Sequence, residues 1–373
     1  MIEMDKTKIK TLIKQVRGVS YKPDDLHNEL NGDSVILLRA NNIDDGKINF
    51  DDVVYVDKSK VSDEQYLRKG DILICASSGS KNLVGKAASV DFDRECTFGA
   101  FCKAVRPNED VVDYLGVYFQ SPVYRRKISE VAIGANINNI RNEHIDELEV
   151  PLFSRDEQQE IVKKIQLVLD IISKRKDEIS SLDDLIRARF VELFGDAIHN
   201  DKGWETDTVE KLCKEIYGGG TPSKSHPEYY EDGDIPWVSS KDMKTDVLTD
   251  SQIKINQLGV DNSTARMVPI NSVIMVIRSG ILKHTLPVAI NAVPITVNQD
   301  LKVFIPNERV LTRFLAIQFK MHEKDILSGV RAVTADNIEF NSLKQRELIV
   351  PPIELQQEYV TFLEQIDKSK FDS

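Results

Sequence analysis

Few residues in this 373-residue sequence stand at spacings that support bond-making or bond-breaking chemistry. Pro23-Asp24 followed by Asp45-Gly46-Lys47 has the outline of a nuclease set, in which clustered carboxylates hold Mg²⁺. Asp45-Gly46 reads as a turn, however, and not as the strand that holds the lysine of such a site, so the match is taken as coincidence. The six histidines are scattered without the spacing of a zinc site. The run Gly218-Gly219-Gly220-Thr221-Pro222 lacks the lysine of a phosphate-binding loop and opens no predicted helix. Cys75, Cys96, Cys102 and Cys213 form no Cys-x-x-Cys pair, and three of them lie in apolar, strand-like contexts, as expected of buried free thiols. The sequence therefore offers little that could act as a catalytic centre.

The composition is that of a folded protein, with 41% hydrophobic and 29% charged residues. The length suggests two or three domains. No apolar run approaches a membrane span, and the first residues lack the continuous hydrophobic segment of a secretory signal, so a cytoplasmic protein is expected. A net charge of −11 opposes generic nucleic-acid binding, which needs a basic footprint. Such binding requires cations gathered on one surface, or a partner that supplies the phosphate grip.

The elements that would position any site repeat at a period of about 200 residues, longer than solenoid periods, which points to a duplicated domain. Residues 147–162 (ELEVPLFSRDEQQEIV) match 347–360 (ELIVPPIELQQEYV) with a two-residue gap. Upstream, GDILICASSGS (70–80) matches NSVIMVIRSGI (271–281), and FGAFCKAVRPNE (98–109) matches VNQDLKVFIPNE (297–308). Helical stretches with aromatics follow at 114–127 and 314–326. Short β-branched strands bounded by Gly, Asn, Asp and Pro indicate a mixed α+β domain in each copy.

Between the copies, Pro151 and the capping box from Ser154 to Glu157 open a helix that Gly195 stops. Ile161, Ile165, Val168, Ile172, Ile179, Leu182, Ile186 and Leu193 keep a four-three alternation, broken at the seam only by Arg175 and Arg189, which predicts a coiled-coil face. Some 40 residues give a rod of about 60 Å. One helix cannot bury such a seam alone. Residues 354–370 supply a shorter partner, with Leu355, Tyr359, Phe362 or Leu363, and Ile366 on one face. The seam left uncovered predicts self-association through residues 179–193.

The opening VRGVSYKPDDL, the run IYGGGTPSKSHPEYYEDGDIPWVSSKDM and the paired VPLFSRDEQQEIV and VPPIELQQEYV together resemble a specificity subunit of a type I restriction-modification system, over essentially the whole chain. The resemblance implies an α+β protein with two target-recognition domains, at 1–150 and 199–350, a central conserved coiled-coil helix at 151–198, and a C-terminal conserved helix at 351–373. It implies that each domain reads one half of a bipartite, asymmetric site on double-stranded DNA. Further implied partners are DNA adenine methyltransferase subunits docked on the helices and a separate motor-nuclease restriction subunit. S-adenosylmethionine belongs on the methyltransferase, with no cofactor on this chain, which lacks a Gly-rich cofactor loop and an Asn-Pro-Pro-Tyr motif. In the family the second helix is usually similar in length to the first, whereas here the sequence stops at Ser373. That departure leaves two alternatives open: a specificity subunit that needs a second copy, and a coiled-coil scaffold that binds no DNA.

If DNA is the partner, specific readout needs Arg, Lys, Asn or Gln presented from loops at a sheet end. Loop 77–86 offers Ser78, Lys81, Asn82 and Lys86, and its counterpart offers Arg278, Ser279, Lys283 and His284. Loop 134–141 offers the amides of Asn138 and Asn139 with Arg141, and 331–337 offers Arg331 and Asn337 in the equivalent place. Arg39 and Asn41 stand in the first copy where Ser240 and Lys241 stand in the second. Taken singly, each is as readily a solvated turn residue. Residues 125–127, Arg-Arg-Lys, suit phosphate positioning or plain helix surface.

Overall fold

The computed structural model describes residues 6–80, 82–132, 138–151, 153–332 and 336–372. The chain divides into two compact units, Met1–Ser173 and Lys174–Ser373, so one continuous helix, Arg155–Phe194, gives its first half to one unit and its second half to the other.

In the first unit, four antiparallel strands lie in the order Ala87–Ser89, Ile72–Cys75, Cys102–Pro107 and Ile13–Arg17. A second sheet sets Cys96–Phe98 parallel to Ser34–Leu38, with Val54–Asp57 and Leu26–His27 completing it. The strands are short apolar runs, and Ile72–Cys75 is buried throughout. Their outer face is covered by the helices Val112–Gln120 and Pro122–Val131, which contribute Leu115, Phe119, Tyr124 and Ile128 to the core.

The second unit repeats the central pairings of this frame, within sheets of five and three strands where the first unit has two sheets of four. Cys213–Gly218 pairs with Leu301–Pro306 as Ile13–Arg17 pairs with Cys102–Pro107. Ile235–Val238 runs parallel to Thr296–Val297 as Ser34–Leu38 runs parallel to Cys96–Phe98. Thr206–Thr208 closes on Glu347–Ile349 as Lys6–Lys8 closes on Glu149–Pro151. Both copies also need a side-chain-free residue where two strands cross. A Cβ on Gly18 would fall 2.2 Å from the Gly99 carbonyl oxygen, and one on Gly219 would fall 1.9 Å from that of Val297. The glycine run of the second copy is therefore a close backbone approach.

The long helix begins and ends where its sequence signals place it. The Ser154 amide and hydroxyl donate to Glu157 Oε2 at 2.8 and 2.7 Å, while the Glu157 amide reaches back to Ser154 Oγ. Gly195, at φ +76°, takes the left-handed conformation that ends a helix with no Cβ penalty. The heptad seam fares differently along its length. Ile186 and Leu193 pack on the core of the second unit, but Phe190 and Phe194 are the fully buried residues of this stretch, and the four-three alternation passed over both. They interlock with Phe314 and Tyr359, with ring centroids 4.9–5.9 Å apart. The helix Ile353–Asp372 lies against this end, burying Tyr359, Leu363 and Ile366. Ile161 and Leu182 are half-buried, whereas Ile165, Val168, Ile172 and Ile179 are exposed, Val168 at 54%. The uncovered stripe thus lies at 165–179, earlier in the helix than the expected 179–193, because the aromatic cluster covers the later turns.

Candidate nucleic-acid interface

In the first unit the end of strand Ile72–Cys75 turns into Ser77–Ser78, which pairs antiparallel with Asn138–Asn139. Beside it the carbonyl of Phe101 accepts hydrogen bonds from the amides of Ala76 and Ser77, at 2.9 and 3.0 Å. Arg39 and Asn41 approach from the end of Ser34–Leu38, and one carboxylate orients both: Asp52 Oδ2 accepts from Arg39 Nη2 at 2.9 Å and from Asn41 Nδ2 at 2.8 Å. Tyr21, Arg39, Asn41, Ser77, Ser78 and Phe101 line a cleft of about 630 Å³. The structure thus gathers Arg39, Asn41 and Ser78 at one opening, with Asn139 on the adjoining strand.

Asn82 and Lys86 of loop 77–86 do not join them. Arg125 donates to the carbonyls of Val84 and Asn82, at 2.6 and 2.9 Å, and draws that segment onto the helix Pro122–Val131. Arg125 is therefore a loop fastener and not a plain helix-surface or phosphate-positioning group, and Lys127 likewise reaches the Glu149 carbonyl at 3.2 Å. Lys86 pairs with Asp44 at 3.5 Å and Arg141 with Glu143 at 3.6 Å. Lys81 lies outside the described residues, as do the side chains of Asn138 and Arg331.

The second unit builds the corresponding place from other side chains. The carbonyl of Asp300 accepts from the amides of Ile277 and Arg278, as that of Phe101 does from Ala76 and Ser77. The Asp300 carboxylate holds Arg278, Nε at 2.7 Å and Nη2 at 2.6 Å, and is itself steadied by Asn298 at 3.1 Å. Arg278 bridges to Asn337, and the Ser279 amide donates to the Asp336 carbonyl, so Arg278, Ser279 and Asn337 are brought together. Ser279 Oγ caps the turn Gly280–Lys283, on which Lys283 stands 3.9 Å from Asp336, and His284 ends that turn, exposed. Ser240 and Lys241 sit in a turn closed by Ser239 Oγ donating to Asp242 at 2.7 Å, with Lys241 exposed.

These positions share an electrostatic pattern. Arg39, Lys86, Arg141, Arg278 and Lys283 each have a carboxylate within 4 Å. A guanidinium held along one edge presents its remaining donors in a fixed direction, which suits reading an acceptor pattern better than general attraction to phosphate. The positioning carboxylates Asp52 and Asp300 were not among the sequence candidates, nor were Tyr21 and Phe101. The match of 98–109 with 297–308 already set Phe101 opposite Asp300, and that was the available signal.

Asp45 and Gly46, at φ +44° and +77°, form the two-residue turn of a hairpin between Asp44 and Lys47. Among the described residues, no group of three or more His, Cys, Asp or Glu side chains stands ready for a metal ion. Burial raises the thiols of Cys75 and Cys102 and pushes those of Cys96 and Cys213 up to about 12, which leaves them protonated and unreactive. Among the described residues, no helix is long and apolar enough to cross a membrane.

Two copies of one mixed α+β frame thus each present oriented donors at a sheet end. The model of the type I restriction modification DNA specificity domain matches twice, at residues 5–181 and 201–373, and the chain belongs to that family. It is 37% identical over 180 residues to the StySPI type I restriction enzyme specificity subunit of Salmonella potsdam, covering 48% of this chain and 39% of that one. It is 35% identical over 192 residues to the EcoKI specificity subunit of Escherichia coli K12, covering 51% of this chain and 41% of that one. The chain thus spans about two fifths of the length of these relatives. The crystal structure of a type I restriction-modification S subunit from M. genitalium shares the fold, with a TM-score of 0.54 at 14% identity, over 100% of this chain and 92% of that one.

Proposed function

We propose that this chain is the DNA sequence-specificity subunit of a type I restriction-modification complex and performs no catalysis itself. Each unit reads one half of a bipartite, asymmetric site through the loops around Arg39 and Arg278. The observation that carries this reading is the double match of the DNA specificity domain, once on each copy of the frame. Oriented donors supply base contacts, while the acidic net charge assigns much of the phosphate grip to partner subunits. Those partners are adenine methyltransferase subunits, which bind S-adenosylmethionine, and a motor-nuclease subunit. The exposed stripe from Ile165 to Ile179 is the surface for the methyltransferase or for a second copy of the chain. The reactions take place in the cytoplasm, where the host DNA is.

The test is co-expression with the neighbouring methyltransferase, followed by sequencing of host DNA for modified adenines. A split motif that changes in one half when residues 77–80 are exchanged supports the reading and assigns the first unit to that half. A stable complex that modifies no motif overturns it in favour of a scaffold.

A further inference from the structure

We propose that Phe101 is a specificity-determining residue that reads the 5-methyl group of a thymine in the half-site taken by the first unit. The inference rests on the DNA-reading function proposed above and adds a named contact to it.

The starting point is the equivalence of Phe101 and Asp300, which the backbone defines independently of side chains. Each carbonyl accepts from two successive amides at the end of the neighbouring strand, 76 and 77 in one copy and 277 and 278 in the other. In the second unit this position steers a guanidinium, the Arg278–Asp300 pair. In the first unit both members are replaced, Arg278 by Ser77 and Asp300 by Phe101. The same place in the frame thus changes from a charged donor to an aromatic ring beside a hydroxyl.

Among the described residues, the ring belongs to no core cluster. Phe101 is 69% exposed, while its neighbour Cys102 is buried in the strand. The turn that carries it is fixed by hydrogen bonds from Ala100 to the Val19 carbonyl and from Cys102 to the Gly99 carbonyl, at 2.9 and 2.8 Å. A rigidly presented, solvated phenyl group at the rim of a cleft has an apolar partner to gain. The other walls state what accompanies that partner, because Arg39 and Asn41, held by Asp52, bring donors to the same opening. Thymine alone among the bases presents a methyl group and an acceptor, O4, side by side in the major groove. A phosphate offers nothing to a phenyl ring, and a guanine or adenine edge offers acceptors without the methyl.

The experiment uses the complex assembled with its methyltransferase and a duplex carrying the mapped motif. Each thymine of the first-unit half-site is replaced in turn by deoxyuridine, which removes only the methyl group, and affinity is measured for the wild type and for Phe101→Ala. One replacement is expected to weaken the wild type roughly fivefold to tenfold and to leave Phe101→Ala, already weakened by that factor, unchanged. A Phe101→Ala complex that binds the intact motif as tightly as the wild type overturns the proposal. So does a loss in that variant with a wild type indifferent to every deoxyuridine, which instead marks Phe101 as a protein contact. A first-unit half-site without thymine on either strand also overturns it. In these cases wild-type preference for the motif over scrambled DNA shows that the DNA-reading function stands, whereas loss of that preference removes both. Because the ring lies outside the core, equal melting temperatures are expected for the two proteins.

Discussion

The hydroxyl of Tyr359 donates to the carbonyl of Ile186 at 3.0 Å, which ties the C-terminal helix to the long helix across 173 residues of sequence. The ring is fully buried against Phe190 and Phe194, and burial holds its phenol above the usual range. Arg189–Glu358, at 2.8 Å, and Lys370–Asp183 flank it on the surface, where ion pairs contribute little. Most of the joint's stability therefore comes from the aromatic cluster. Tyr359→Phe is expected to cost about 1 kcal/mol and Tyr359→Ala about 3–5 kcal/mol in urea unfolding. Equal losses for the two variants would place the stability in the hydrogen bond instead.

Asp300 is expected to serve direction more than affinity. Asp300→Ala leaves Arg278 without its clamp and removes a negative charge from the surface proposed to face DNA. Discrimination at one position of the second half-site should fall roughly tenfold, while binding to unrelated duplex rises and becomes more salt-sensitive. Competition binding at two salt concentrations checks both signs, and a uniform loss on every sequence contradicts the clamp.

His322 is expected to make the second unit acid-sensitive. Burial first, and the adjacent Arg346 guanidinium second, push its imidazole down to about 4, with Asp325 working in the opposite sense. The folded chain keeps the ring neutral where the unfolded chain protonates near its ordinary 6.5. Its contribution is fully present above that value and is lost as the pH falls toward 4, by on the order of 3 kcal/mol. Melting of the wild type and His322→Gln between pH 7.5 and 4.5 tests this, since the variant should lose less of its stability over the interval. Parallel curves would refute it.

Gly219→Ala forces a methyl carbon into the Val297 carbonyl and should cost about 1–3 kcal/mol. Ala at Gly79, which has no neighbour within 4 Å of its Cβ position, is the control and should melt with the wild type.

What the sequence made legible was local or repeated. Ser154, Glu157 and Gly195 announce the ends of the long helix because caps act within one turn, and the duplication shows because each copy must close the same strands. The seam was legible as apolar spacing but not as burial: Ile165 and Phe190 lie on one helix, yet only Phe190 meets Phe314 and Tyr359 from far along the chain. The candidate site was legible in its donor types and not in their orientation. Arg39 and Arg278 stand out by type, whereas Asp52 and Asp300 acquire meaning only through contacts that folding brings about. Phe101 reads as one more strand residue until its exposure is known.

The pairing of these cations with the chain's own carboxylates bears on time as well as on affinity. On arbitrary DNA, each salt bridge would have to be surrendered for a phosphate contact of similar worth, so little holds the protein where it lands. Under the proposed function, dwell at wrong sequences is expected to be brief. At the right one, base-edge acceptors would meet donors already aimed at them without dismantling the clamps, and residence would lengthen there alone. A reader built in this way would spend its search moving.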